Sequence, residues 1–109
     1  MARKVFRVLI VVMLHLIFQS TFDESLLHRT DSGDDLVFLE SSVFRLIKGG
    51  VLTDELQKMN QLNINLYVMN CDLETRGIDA GELILGFDII DYSDLVKLTE
   101  KNKVIRTWS

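Results

Sequence analysis

The sequence predicts an α/β domain built on a mainly parallel sheet. Short apolar runs alternate with helix-like stretches, the runs are apolar on both faces, and turn signals separate them. The chain has 109 residues, of which 48% are apolar and 26% charged, and it has no proline. That is the length of one domain and the makeup of a globular protein, so collagen-like, linker-rich and disordered classes are excluded. One cysteine, Cys71, rules out an intrachain disulfide and the cysteine-based zinc sites, and favours a reducing compartment.

Met13 to Phe18 reads as the first buried strand. Ser20 is placed to cap a short helix with apolar positions Phe22, Leu26 and Leu27, ending at the turn signal Asp31-Ser32-Gly33. Leu36 to Leu39 is a second strand, apolar on both faces as a central parallel strand requires. Ser41 or Ser42 then caps a helix carrying Val43, Phe44, Leu46 and Ile47, stopped by Gly49-Gly50. The next helix, Thr53 to about Asn60, has Asp54 and Glu55 in its first turn, where the helix dipole favours negative charge.

Ile64 to Met69 forms the third strand, followed by a short helix ending at Arg76-Gly77 and a turn at Asp79-Ala80-Gly81. Leu83 to Ile90 supplies a fourth strand with a break at Gly86. Asp91 or Ser93 caps the clearest helix, whose apolar positions are Tyr92, Leu95, Val96 and Leu98 and whose C-terminal half carries Lys97, Lys101 and Lys103. Val104-Ile105 forms a short last strand before Trp108. The chain has no internal repeat or heptad run.

Charge is distributed unevenly. Arg3, Lys4 and Arg7 fall in the first twelve residues, and all sixteen carboxylates follow. From Met13 onward, nine basic against sixteen acidic residues leave a net charge of −7. An acidic body is a poor partner for a phosphate backbone, so no direct nucleic-acid contact is expected. Arg3-Lys4 ahead of Val8 to Leu14 and Leu16-Ile17-Phe18 fits two readings, a signal peptide or anchor and a buried strand with an extension before it. Against the first, Arg7 and His15 interrupt the run, and Gln19-Ser20-Thr21-Phe22 gives no small-x-small cleavage site. The run also falls short of the roughly 20 apolar residues that span a bilayer. Composition does not choose between them.

Candidate chemistry is sparse. The sequence holds no glycine-rich phosphate loop, no His-x-x-x-His or Cys-x-x-Cys metal spacing and no G-x-S-x-G elbow. His15, inside an apolar run, reads as a hydrogen-bonded strand residue rather than a ligand, and His28 as a helix-surface residue. Asp88 and Asp91 straddle the C-terminal end of a strand, the usual place for α/β sites, but Asp is also the ordinary helix cap. Cys71 is the candidate nucleophile. It lies just beyond a strand at the mouth of a short helix, where backbone N–H groups favour a thiolate, while Asp72 and Glu74 oppose it.

Tyr67-Val68-Met69-Asn70, Asp72-Leu73 and Arg76-Gly77 resemble the Y-x-x-x-x-D-L-x-x-R-G segment of the TusB/DsrH family. Ile90-Asp91-Tyr92-Ser93-Asp94-Leu95-Val96-Lys97-Leu98-Thr99 resembles that family's I-D-Y-x-x-F-V-x-L-T helix start, with Leu95 in place of the aromatic. Met13-Leu14-His15 is similar to the family's first residues, and Trp108 to its C-terminal tryptophan. The resemblance covers Met13 to Ser109. It departs at Thr21, where the family often has proline, and in an abbreviated first helix.

The resemblance implies a DsrE-like three-layer α/β/α sandwich over residues 13–109, with 1–12 as an upstream extension that fits an overcalled start codon. It implies a non-catalytic subunit of a cytoplasmic heterohexamer formed with TusC-like and TusD-like partners. That complex would receive persulfide sulfur through a small carrier protein and pass it towards 2-thiolation of the tRNA wobble uridine. No cofactor, metal or membrane is implied. The Dsr branch of the family serves dissimilatory sulfur oxidation instead. Counted back from Arg76-Gly77, the carrier subunit's cysteine falls near Met69, so Cys71 lies in the matching loop about two positions on. A sulfurtransferase using Cys71 as persulfide carrier is thus the enzymatic alternative.

Overall fold

The computed structural model describes residues 12–20, 25 and 28–108. The expected extension up to residue 11, and most of the expected helix after Ser20, lie outside the described residues. Five strands form one sheet among them: β1 (Met13–Ile17), β2 (Asp35–Phe38), β3 (Asn65–Met69), β4 (Phe87–Ile90) and β5 (Val104–Trp108). Every pairing is parallel and the order is β4-β3-β2-β1-β5. β2 takes the centre, and all four of its residues are buried, as its two-sided apolar reading requires.

That order explains the layers. From β1 to β4 the chain steps always in one direction, and right-handed crossovers place such connections on one face of the sheet. On this face lie a 3-10 segment (Glu40–Leu46), helix α1 (Thr53–Gln61) and Leu73 of the short helix α2 (Asn70–Thr75). They close over Ile17, Leu36, Phe38, Leu66 and Val68. The step from β4 to β5 reverses direction, so its helix, α3 (Tyr92–Lys101), must cover the opposite face. There Leu98 packs with Leu14, Val37, Leu39, Met69 and Ile90. Each fully buried aliphatic side chain is worth about 1.5–3 kcal/mol in removal from water, so both faces contribute to holding the sheet.

The two layers are unequal. Among the described residues, α3 is the one helix over the second face; Leu16, Phe18 and Tyr67 beneath it, and Leu95 of the helix itself, are only half-buried. Its predicted apolar stripe is correspondingly split: Leu98 is buried, whereas Tyr92 and Val96, one turn apart, are 66% and 53% exposed. Ile105, on the edge strand β5 opposite Leu14, is exposed as well.

Three local readings differ from the structure. The segment after β2 is a 3-10 helix with no side-chain cap, not a helix capped by Ser41 or Ser42. Those hydroxyls are spent elsewhere: Ser42 Oγ lies 2.7 Å from the carbonyls of both Ile17 and Leu39, and Ser41 Oγ donates to the Phe18 carbonyl at 3.3 Å. They hold the end of β1 against the end of β2 instead of starting a helix. The fourth strand begins at Phe87, because Gly86 turns the chain at φ 102° against Asn60, whose side chain would lie 2.6 Å from any Cβ added there. Leu83 pairs in an isolated antiparallel bridge with Ile47. His28 lies in a turn rather than on a helix, with Nε2 3.9 Å from Glu55.

Candidate functional site

The C-terminal ends of parallel strands point their following loops to one rim, where α/β proteins build sites. β3 delivers Asn70 and Cys71 to that rim, β2 delivers Glu40, and β4 delivers Asp91 and Tyr92. Cys71 is half-buried against the Leu98 side of the core. The Cys71 thiol, through hydrogen bonding and charge, then burial, then the carboxylates of Asp72 and Glu40, holds the Tyr92 phenol above its ordinary value. Among the described residues, Glu40 is one of two non-glycine residues with positive φ, at 51°. Arg76, the basic residue near Cys71 in sequence, is engaged by Asp72 Oδ1 at 3.1 Å. Cys71 thus faces the Tyr92 phenol, and the neighbouring Arg76 is already paired.

Neither histidine reaches Cys71. His15 projects from β1 on the sheet face opposite to the one against which Cys71 packs, and His28 is paired with Glu55. Asp91 has the structural role: its side chain accepts from the Asp94 N–H at 2.9 Å, while Asp94 Oδ2 accepts from the Asp91 N–H at 3.2 Å. This capping box keeps the Asp91 carboxyl below its usual value, chiefly through the Asp94 backbone hydrogen bond. Asp88 stands opposite Tyr67 on β4 and is exposed. Burial, then Asp35 and Asp88, push the Tyr67 phenol up.

The N-terminal end of the sheet carries the densest polar network. Asp34 and Asp35 are both buried, and their side chains turn to opposite faces. Asp34 Oδ2 is 2.9 Å from His15 Nε2, and His15 Nδ1 is 3.1 Å from the indole nitrogen of Trp108. Asp35 receives Asn65 and Asn102 Nδ2, each at 2.9 Å, and Lys101 Nζ at 3.3 Å. The expected hydrogen-bonded strand role of His15 holds, with partners 19 and 93 positions away. No sequence spacing signals partners so distant.

Among the described residues, no group of three or more His, Cys, Asp or Glu side chains could hold a metal ion. No described helix is long and apolar enough to cross a membrane. Two surface depressions, one between His28, Glu55 and Lys58 and one between Phe44, Arg45 and Lys48, do not include Cys71.

Known proteins match this chain in both sequence and fold. The family described as "DsrH like protein" matches residues 18–105. Protein TusB of Escherichia coli K12 is 31% identical over 99 residues, covering 88% of this chain and all of that protein. Protein TusB of Buchnera aphidicola is 30% identical with the same coverage, and that of Enterobacter sp. is 29% identical. In structure, the ychN protein from E. coli superposes with a TM-score of 0.73 at 17% identity, over 89% of this chain and 98% of that one. MTH1491 of Methanobacterium thermoautotrophicum, a protein of unknown function, gives 0.68 at 18% identity, over 87% and 96%. These likenesses establish the DsrE-like three-layer fold, and with the sequence match over most of its length the chain belongs to the TusB/DsrH family.

Proposed function

We propose that this chain is a non-catalytic subunit of a cytoplasmic sulfur relay, assembled with TusC-like and TusD-like chains into a heterohexamer. The complex takes persulfide sulfur from a small carrier protein and passes it towards 2-thiolation of the tRNA wobble uridine. The observation that carries the assembly role is the thin second layer: Tyr92 and Val96 on α3 and Ile105 on β5 are exposed apolar side chains on a sheet face covered by one described helix. A partner that buries them completes that layer. Membership of the TusB/DsrH family supplies the expectation of which partners these are.

The non-catalytic reading is supported by the surroundings of Cys71: neither histidine lies beside it, and Arg76 is engaged by Asp72. The net charge of −7 from Met13 onward agrees with tRNA being held by another chain. The tRNA branch is preferred to a DsrH-type role in sulfur oxidation because Cys71 is the only cysteine, so none stands in the first helical region. Coexpression with the cognate TusC-like and TusD-like chains tests the proposal. All three should copurify in one complex. If the partners assemble fully without this chain, and it elutes alone, the proposal fails.

A further inference from the structure

The protonation of His15 can be read from its partners. An indole N–H can only donate, so the nitrogen it meets, Nδ1 at 3.1 Å, must be an unprotonated acceptor. The ring proton therefore sits on Nε2, which donates to Asp34 Oδ2 at 2.9 Å. Asp34 is fixed as an acceptor, since its oxygens also take the Met13 N–H and the Asp31 N–H, each at 3.0 Å. His15 is 1% exposed and Asp34 2% exposed, so no water replaces a lost bond without local opening.

Adding a proton to this imidazole has one possible destination, Nδ1. The ring then carries two donors. Asp34 remains a suitable partner for Nε2, but at Nδ1 two N–H groups face each other. The His15 ring cannot move away, because it belongs to an interior strand and is tied to Asp34. Trp108 can, because it is the last residue of β5, an edge strand bonded to β1 alone.

Among the described residues, the charged groups around the pair are few. Asp34 faces Nε2, while Arg106 of β5 lies 4.5 Å and Arg29 of the preceding loop 5.8 Å from the centre of the Trp108 ring. β2 offers Leu36 beside His15, since Asp35 turns to the other face to meet Lys101. On α1, over the same face, Glu55 is taken up by His28. Both guanidiniums lie over the very ring that would be displaced.

We propose that His15 is a proton-operated latch on the C-terminal strand: the neutral ring holds Trp108 through Nδ1, and proton uptake at Nδ1 ejects the indole and loosens the end of β5. Loosening exposes backbone N–H and C=O groups at a sheet edge, so the latch controls whether that edge is closed or available for pairing. The proton comes from solvent and stays on His15, and no covalent bond changes.

Trp108 is the only tryptophan, so its emission reports the latch directly. In the full-length chain, emission is expected to follow a one-proton transition within the histidine range, between about pH 5 and 8. In His15→Gln the amide oxygen can accept the indole N–H and the amide NH2 can donate to Asp34 at every pH, so the transition should vanish. In His28→Gln it should remain. Persistence of the transition in His15→Gln overturns the proposal, as does flat wild-type emission. If His15→Gln does not fold, ring-nitrogen NMR of the wild type decides: Nδ1 should gain its proton in step with a shift of the Trp108 indole proton. A His15 that titrates while that indole signal stays fixed, or one that does not titrate in this range, equally overturns it.

Discussion

Asn102 and Asp35, 67 residues apart, meet through a 2.9 Å hydrogen bond from Asn102 Nδ2 to Asp35 Oδ2. The bond ties the C-terminal end of α3 to the start of the central strand. Asp35 is fully buried, and Asn65 and Lys101 are its other partners. The same Nδ2 donates to the Leu98 carbonyl at 2.9 Å, closing the last turn of the helix. Asn102→Ala removes both bonds and leaves one oxygen of a buried carboxylate with an exposed lysine as its remaining side-chain partner. A loss of about 1–3 kcal/mol is expected. Urea unfolding should show a lower midpoint with an unchanged slope, because the folded and unfolded surfaces stay the same size. An unchanged midpoint would mean that the bond contributes nothing.

The Asp91 cap gives a pH signature. Its carboxyl titrates below the ordinary range in the folded chain, mainly because the Asp94 N–H donates to it. A folded value below the unfolded one means that its contribution is complete above the unfolded value, about 4. That contribution is lost as pH falls through the folded value. Asn at this position still caps but does not titrate. Asp91→Asn should therefore flatten the acid limb of stability below about pH 4 and leave the limb near neutrality unchanged. Thermal melts of the two proteins across that interval measure the difference, and parallel acid limbs would count against the cap as its source.

Leu98 and Val96 separate folding from assembly. Leu98 is buried against Leu14, Val37 and Met69, so Leu98→Ala opens a cavity beneath α3 and should cost about 2–5 kcal/mol in the isolated chain. Val96 is largely exposed, so Val96→Glu should leave the unfolding midpoint within about 0.5 kcal/mol of wild type. It should nonetheless reduce copurification with the TusC-like and TusD-like chains at least tenfold, since it places a charge in an apolar contact. Full copurification of Val96→Glu, Tyr92→Glu and Ile105→Glu alike would show that this face is not the assembly surface.

The parallel sheet, its central strand and the capped helix α3 were legible because each rests on local rules. A two-sided apolar run marks Leu36 to Leu39, an apolar run marks Ile64 to Met69, and Asp91 or Ser93 offers the cap that the structure assigns to Asp91. Ser41 and Ser42 looked like caps because the same hydroxyl chemistry serves either purpose. Their choice of the β1 and β2 carbonyls depends on a contact across more than twenty positions. The Leu83 to Leu85 stretch looked like strand because periodicity is blind to Asn60, which occupies the space beside Gly86. The His15, Asp34 and Trp108 network is the extreme case, since sheet order alone brings the two ends of the domain together. Sequence could place Cys71 beyond β3 but not beside Tyr92, because that pairing needs β3 and β4 to be neighbours.

Cys71 decides between a supporting and a sulfur-carrying subunit. The Tyr92 hydroxyl is bonded to its thiol, and this contact is the chief reason that the phenol is held above its ordinary value. Removing the sulfur in Cys71→Ala should bring the Tyr92 phenol back down towards about 10, leaving Tyr67 raised by its own burial. Ultraviolet titration of the two tyrosines, with Tyr92→Phe to assign them, measures this. In reconstituted sulfur transfer with the partner chains, Cys71→Ser should retain the wild-type rate within about twofold, because a supporting subunit forms no persulfide. Loss of transfer by a folded, fully assembled Cys71→Ser complex would instead assign the carrier role to Cys71, and the Tyr92 hydroxyl would then be the group that holds the thiol in place.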